Sequence, residues 1–231
     1  MRLQACCFGF ALVAALQAQA GWRAGAYLGA AATHSGSVMI EQPSLGTRLL
    51  LRKVEFEGQS FTPPLYYGLR LGRFFGRLGV EAEFIHQKIY ARTERTVDLE
   101  GQVRGTPVSG SMPMNTLVPQ FSISHGLNYL LANAVLEQPV GPRTRFCARL
   151  GAGATLPHPE SNVMGDSRQG YQLGKPALQA AAGFTFRLWR GLNWLTEYKF
   201  TRTRQRVKIV AGEAETLVLS HHVVFGLGVS F

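Results

Sequence analysis

The amino-acid sequence predicts an all-β protein, an eight-stranded antiparallel transmembrane up-and-down β-barrel. Three observations carry this prediction. Apolar and polar residues alternate with a period of two, which is typical of strands with one face in an apolar environment. Eight such segments follow one another along the chain. Their connections alternate between short turns and long polar segments, as they do in outer-membrane barrels.

The first twenty residues have the pattern of a cleavable secretory signal peptide. Arg2 precedes an apolar run at 6–16, and the small residues Ala18 and Ala20 follow this run, which predicts cleavage after Ala20. We assign 1–20 to the signal peptide and 21–231 to the barrel domain. The apolar run is shorter than the roughly 20 residues that a membrane-spanning helix needs.

Composition narrows the class of protein. Hydrophobic residues make up 46% of the chain and charged residues only 16%, which is too apolar for a disordered chain. Beyond the signal peptide Cys147 is the single cysteine. An intramolecular disulfide framework and a cysteine-based zinc site are therefore excluded, and Cys147 is expected to be a small buried or lipid-facing residue.

The predicted strands share the same alternation and differ mainly in the length of the connection that follows. They lie, in chain order, at about 22–30, 65–72, 78–84, 120–129, 146–154, 178–187, 192–200 and 217–231. Strands two, four and six are followed by short turns. Strands one, three, five and seven are followed by segments that we predict to be long polar loops, among them 92–116, 157–172 and 202–208.

One face of the predicted strands is apolar and begins and ends in aromatic residues, as an interfacial girdle requires. In strand four this face is expected to include Phe121, Ile123, Leu127 and Tyr129. The predicted girdle residues are Trp22, Phe74, Phe75, Tyr129, Trp189, Trp194 and Phe231. Because an open sheet edge in lipid leaves backbone groups unpaired, at several kcal/mol each, strand eight is expected to pair with strand one.

The other face predicts what fills the interior. An eight-stranded barrel is just wide enough for its own side chains. The charged residues expected inside are Arg70, Glu81, Glu83, Arg149, Arg187, Glu197 and Lys199. Their mixed signs predict a network of paired charges, because single buried ions are expensive. We therefore expect no stable conductance, although a small channel stays as a second alternative.

The signal peptide, the eight alternating strands and the closing segment 220–231 resemble the OmpA-like outer-membrane β-barrel family over essentially the whole mature chain. The resemblance implies the outer membrane of a Gram-negative bacterium. It also implies that the barrel assembly machinery recognises the closing strand through Phe225, Leu227, Val229 and Phe231. It does not imply a chemistry, because this porin-like family includes structural proteins, adhesins, small channels and lipid A modifying enzymes.

Charge indicates a partner. The net charge of the chain is +10, and a basic rim would attract the phosphates of lipopolysaccharide. Two patches are expected to touch these lipids: one of His86, Lys88 and His125, and one of Arg202 and His221. Nucleic acid is excluded because an exported barrel rarely meets it and no such motif is present. We predict a structural or lipopolysaccharide-contacting protein without a cofactor, and the oligomeric state stays open.

The alternative is a lipid A modifying enzyme. The segments 86–90 and 197–200 are similar to ones in proteins labelled lipid A oxidases. The catalytic candidates are His86, Tyr90, Glu197 and His222. Five of the six histidines are predicted at rim level, including His125, His158 and His221. Such a cluster could supply acid and base groups or bind a divalent metal, which would be the cofactor of the enzyme. The alternation does not make these histidines converge, so we assign no metal site.

Overall fold

The computed structural model describes residues 20–231, which form fourteen strands and two short 3-10 helices. Eight strands form a closed antiparallel ring, in this order: β1 (Ala20–Thr33), β5 (Tyr67–Phe75), β6 (Leu78–Ala91), β9 (Gln120–Pro139), β10 (Thr144–Val163), β12 (Ala177–Trp189), β13 (Leu192–Ile209) and β14 (Gly212–Ser230). β14 pairs back with β1, from Arg23 opposite Ser230 to Thr33 opposite Ser220. The predicted eight-stranded barrel is confirmed. The predicted signal peptide lies outside the described residues, apart from Ala20.

The outer wall of the ring is an apolar band. Leu150 is 69% exposed, Val80 63% and Leu78 58%, and such a density of exposed apolar side chains marks a surface that faces lipid. Trp22, Trp189, Trp194 and Phe231 are exposed near its edges, as predicted for the girdle. This band confirms that the barrel spans a lipid bilayer, as predicted. No helix among residues 20–231 is long and apolar enough to cross a membrane.

Beyond the band, the same sheet continues past the ring as a smaller extension. Its strands are β2 (Gly36–Gln42), β3 (Thr47–Val54), β7 (Thr96–Val103) and β8 (Thr106–Pro113), which extend the sheet outward from β14, while β4 (Phe56–Glu57) pairs with β6 and β11 (Asp166–Gln169) with β10. The 3-10 helices are Pro43–Leu45 and Met114–Thr116. A core of buried side chains, including Ile40, Leu51 and Val97, packs inside this part of the wall.

The segments predicted to be long loops are therefore largely strands, and that part of the prediction was wrong. The segment 92–116 forms the β7–β8 hairpin, 157–172 continues β10 and adds β11, and 202–208 lies wholly within β13. The period of two persists in 202–208, where Thr203 and Gln205 are buried between exposed arginines. The prediction failed because the inward residues there are polar, so that the apolar alternation disappears although the strand does not.

Strand four was predicted in the wrong phase. Leu127 and Tyr129 are fully buried inside the barrel, and Phe121 and Ile123 are also buried. The lipid-facing residues of β9 are instead Leu130, Ala132, Ala134 and Leu136. The phase was wrong because the inward face of β9 is itself apolar at this height: Ile123, Leu127 and Tyr129 belong to a buried cluster inside the barrel. A bulge also lies in β9, because Ile123 and Leu127 pair with Pro159 and Pro157 of β10, but its two extra residues leave odd-numbered residues inward on both sides.

Phe74 was predicted to belong to the aromatic girdle, and this prediction was also wrong. Phe74 keeps the inward phase of its strand, is 3% exposed, and lies under the Arg23 guanidinium at 3.9 Å from the ring centroid. Cys147 is buried, and its Sγ lies 3.3 Å from the Thr185 hydroxyl oxygen.

Gly68 makes room for an aromatic side chain in the interior. Tyr27 lies opposite Gly68 in the ladder, and a Cβ at residue 68 would overlap the Tyr27 ring. We expect Gly68→Ala to lower the free energy of unfolding by about 1–3 kcal/mol, as overpacking does. The measurement is urea unfolding in lipid vesicles, followed by tryptophan fluorescence.

Gly21→Ala is the matched control. The atom nearest to a Cβ at residue 21 is the Phe231 carbonyl oxygen at 3.6 Å, an ordinary contact. This variant should be no less stable than the wild type, because alanine restricts the unfolded chain more than glycine does. Equal unfolding midpoints for Gly68→Ala and Gly21→Ala would contradict the packing of Tyr27 over Gly68.

Candidate functional site

Six charged side chains meet inside the barrel, below the rim. They are Arg70, Glu81, Glu83, Arg149, Glu197 and Lys199, all buried. Arg70 donates from Nε to Glu83 at 2.8 Å and from Nη2 to Glu197 at 2.5 Å. Three positive and three negative charges balance within this network, as a stable set of buried ions requires.

Glu83 receives more hydrogen bonds than any other carboxylate described here. Its oxygens accept from Tyr27 Oη at 2.7 Å, Lys199 Nζ at 2.5 Å and Gln179 Nε2 at 2.6 Å. Further donors are Arg70 and Asn133. The β5–β6 pairing sets Arg70 directly opposite Glu83, and the interior is just wide enough for β13 to bring Lys199 to the same point. These contacts fill the barrel at this level.

The other carboxylates complete the network. Glu197 accepts from Arg149 and lies 2.9 Å from Lys199 Nζ. Glu81 accepts from Arg149 Nε at 3.0 Å. Arg187 was predicted to belong here and does not. It is exposed on β12 beside the short turn, and its Nη2 donates to the Pro142 carbonyl at 3.3 Å. The alternation gives the face of a residue but not its height along the barrel.

The four catalytic candidates do not come together. His222 is fully buried inside, with Nδ1 3.0 Å from Tyr66 Oη and Nε2 2.9 Å from Thr201 Oγ1. His86 lies on the outer face, stacked on the Tyr67 ring, and its Nδ1 is 2.8 Å from Asn128 Oδ1.

The remaining two candidates are also apart. Glu197 belongs to the charge network. Tyr90 lies at the rim, opposite Glu57. The structure shows no convergent acid, base and nucleophile among these four residues.

The first predicted lipid patch is mostly covered. Lys88 is 3% exposed, and its Nζ donates to the Thr62 carbonyl at 2.6 Å. Burial lowers the pKa of the Lys88 ammonium group. His86 is 6% exposed, whereas His125 is exposed and contacts Glu160. This patch therefore offers a lipid little free positive charge.

The two residues of the second predicted lipid patch, His221 and Arg202, have different surroundings. His221 lies on the outer face, where its Nε2 is 2.5 Å from His34 Nε2 and its Nδ1 contacts the Tyr198 hydroxyl. Arg202 is exposed and takes part in none of the ion pairs found among residues 20–231. It begins a set of outward cations, hereafter the basic strip, which consists of Lys175, Arg202, Arg204, Arg206 and Lys208.

Lys175 precedes β12, and the other four residues of the basic strip come from the sequence of β13. Its cations alternate with buried Thr203, Gln205 and Val207, so the arginines share the outer face. Glu215 accepts from Arg204 Nη1 at 2.7 Å and Arg206 Nη2 at 2.9 Å. These hydrogen bonds hold the pKa of Glu215 below its ordinary value, so it stays ionised and offsets part of the charge.

The part of the strip nearest the membrane stays positive. Arg202 lies opposite Leu178, which is 53% exposed and belongs to the apolar band. A shallow groove there is lined by Lys175, Leu178 and Arg202, among others. Sequence reasoning placed Arg202 in a lipid patch with His221 and recognised 202–208 as basic, but it did not place Lys175 beside them. The signal was the alternation of basic residues in 202–208, which we interpreted as a loop.

The closed ring, the apolar band and the filled interior define an integral outer-membrane β-barrel protein. No protein-family model and no curated protein sequence matches the chain. Among solved structures, it is similar to Neisserial surface protein A (11% identity, TM-score 0.43), with 92% of this chain and 97% of that chain covered.

Two further solved structures have the same overall likeness. The outer membrane protein OprG from Pseudomonas aeruginosa has 13% identity and a TM-score of 0.49, over 92% of this chain and 95% of that chain. The attachment invasion locus protein Ail of Yersinia pestis has 15% identity and a TM-score of 0.35, over 92% and 97%. At these identities the likeness concerns the fold alone.

Proposed function

We propose that this barrel is a non-enzymatic envelope protein that binds the phosphates of lipopolysaccharide through the basic strip. The observation that carries the proposal is the position of Arg202 and Lys175, which line one groove with Leu178 at the edge of the apolar band. Cations at this height meet the headgroups of the lipid whose acyl chains cover the band. Guanidinium groups suit phosphate because their planar fork can donate two parallel hydrogen bonds.

Two other observations favour this function over the alternatives. The six-charge network fills the interior, which argues against a channel through the barrel. The catalytic candidates lie on different faces, His222 inside and His86 outside, which argues against a lipid A modifying enzyme built from them. Neither observation depends on the basic strip.

The proposal is tested by the affinity of the purified protein for lipid A in phospholipid nanodiscs. A basic side chain at an anionic surface contributes about 1 kcal/mol, so the double variant Arg202→Ala with Lys175→Ala should bind roughly 10- to 30-fold more weakly. The difference in affinity between the wild type and the double variant should be smaller at high salt, because the interaction is electrostatic.

The matched control is Arg52→Ala with Lys53→Ala. These residues are exposed on β3, in the sheet beyond the band, and pair with Glu100 and Asp98. The control removes the same charge far from the apolar band and should leave lipid A affinity unchanged. Equal losses in both double variants would show that net charge, and not the strip, governs binding.

The enzymatic alternative is tested separately, by mass spectrometry of lipid A incubated with the wild-type protein. We expect the mass of lipid A to stay unchanged. A modified product that disappears in His86→Ala or His222→Ala would contradict a non-enzymatic role.

A further inference from the structure

Three side chains that could bind a metal ion meet on the outer wall beyond the apolar band. They are His125 on β9 and His158 and Glu160 on β10. One nitrogen or oxygen of each lies within 4.8 Å of the other two. Glu160 Oε1 is 2.8 Å from His125 Nδ1 and 3.9 Å from His158 Nδ1. No other group of three or more such residues is found in the described part of the chain.

The bulge in β9 creates this cluster. His158 and Glu160 are two residues apart and share one face of β10. Between Ile123 and Leu127, β9 has three residues opposite the single residue His158. Gly126 permits the bulge because its φ of +110° is rarely adopted by L-residues, and a Cβ there would lie 2.5 Å from His86 Nδ1. The extra residues bring His125 beside His158.

One atom of the cluster has no partner in the structure. His158 Nδ1 is buried and makes no hydrogen bond, which is uncommon for a buried nitrogen and needs an explanation. The His158 ring is held edge-on between His125, at 4.6 Å between centroids, and Tyr171, at 4.5 Å. The nitrogen therefore faces Glu160 without being satisfied by it.

Other side chains orient the carboxylate. Glu160 Oε1 accepts from the Ser124 hydroxyl, and Oε2 accepts from Gln120 Nε2 at 2.9 Å. Outer-shell hydrogen bonds of this kind commonly fix the carboxylate ligands of metals. The His34–His221 pair has no such support, because its third member is the Tyr198 hydroxyl and not a carboxylate.

We propose that His125, His158 and Glu160 bind a divalent transition-metal ion of the Zn²⁺ class. Two imidazoles and one carboxylate suit Zn²⁺, Cu²⁺ or Ni²⁺, whereas Ca²⁺ and Mg²⁺ prefer oxygen ligands throughout. Three protein ligands leave a position for water or an external ligand. The proposal does not depend on lipid binding by the basic strip.

The ligand positions require only a small adjustment. Zn–N and Zn–O bonds of about 2.0–2.1 Å set tetrahedral donors roughly 3.4 Å apart. The separations in the structure, up to 4.8 Å, differ from this by less than roughly 1.5 Å. His125, whose side chain is 60% exposed, has the freedom to close the gap by rotation.

The test is Zn²⁺ titration of untagged, metal-stripped barrel in detergent micelles by calorimetry. We expect one Zn²⁺ per chain in the wild type and a loss of affinity of more than roughly tenfold in His158→Ala and in Glu160→Gln. His221→Ala is the matched control, because it removes a histidine from the other pair and should keep the site. Cu²⁺ bound to the wild type should show coupling to two imidazole nitrogens in its electron paramagnetic resonance spectrum.

Folding is checked separately in every variant by the shift in electrophoretic mobility on heating and by circular dichroism. The proposal is overturned if folded wild type binds no Zn²⁺, or if folded His158→Ala binds it as tightly as the wild type. It is also overturned if His221→Ala loses the site while His158→Ala keeps it, which would assign the metal to the His34–His221 pair.

Discussion

Glu83→Gln is expected to lower the free energy of unfolding by about 3–5 kcal/mol, the cost of breaking a buried ion pair by removing one partner. The variant keeps the shape of the side chain but leaves three cations against two carboxylates. Lys199 is fully buried, so water cannot solvate its ammonium group in place of the lost carboxylate. The amide would also direct N–H groups at Arg70, Lys199 or Gln179, which themselves donate to Glu83.

Urea unfolding in lipid vesicles measures this effect, and Glu100→Gln is the matched control. Glu100 is 54% exposed and pairs with Arg52 at 2.6 Å. An exposed pair contributes about 0–1 kcal/mol, so the control should unfold close to the wild type. A loss in Glu83→Gln as small as that in Glu100→Gln would mean that water reaches the network and that the barrel is not filled.

A double variant separates lost charge balance from lost packing. Lys199→Met in the Glu83→Gln background restores equal numbers of positive and negative charges with a side chain of similar length. We expect it to recover part of the stability lost in Glu83→Gln, because the two residues share one network and their effects are not additive. A double variant whose loss relative to the wild type equals the sum of the losses in Glu83→Gln and Lys199→Met would show that the two charges act independently.

The eight-stranded ring and the charged side chains inside it could be predicted from the sequence, because both follow from the alternation of apolar and polar residues with a period of two. Arg70, Glu83 and Lys199 could be assigned to the interior from their alternation with lipid-facing leucines and aromatics. The prediction for Arg187 failed for a definite reason. Alternation reports the face on which a residue lies, whereas membership of the network depends also on strand tilt and stagger, which bring distant residues to one height.

At the rim, strands whose two faces are both polar are not detected by the alternation of apolar and polar residues. In β13 beyond residue 200, inward threonines and Gln205 bond to one another and to the backbone. Gln205 Nε2, for example, donates to Thr155 Oγ1 at 3.0 Å and to Thr203 Oγ1 at 2.6 Å. A strand with two polar faces has no hydrophobic signal, so it was interpreted as a loop.

The histidine cluster was out of reach for a different reason. Regular pairing of β9 and β10 does not make His125 and His158 neighbours. A bulge of this kind depends on the pairing of both flanking strands, and β9 is shifted in the same way against β6, where Gln87 and Ile89 lie opposite Leu127 and Ile123. Gly126, with its positive φ, was the available sequence signal, but glycine is common on both faces of this barrel.

Leu150→Arg is expected to lower the free energy of unfolding in lipid vesicles by about 2–4 kcal/mol, the cost of a basic side chain at the midplane of a barrel's lipid face. Leu150 lies on β10 between Ala134 of β9 and Ala180 of β12, so small neighbours leave it exposed in the middle of the band. An arginine there cannot reach the headgroups without deforming the bilayer.

The controls for Leu150→Arg are the same change at two other heights along the outer wall of the barrel. Leu178→Arg lies opposite Arg202 at the edge of the band, where the cost should fall to about 0–1 kcal/mol. Leu173→Arg lies beyond the band, and Leu173 is 79% exposed, so its effect should stay within about 0.5 kcal/mol. Because all three are leucine-to-arginine changes at exposed positions, only the surroundings of the side chain differ. Equal losses at the three positions would mean that the apolar band does not face lipid, and the lipid contacts assigned to the basic strip would lose their basis with it.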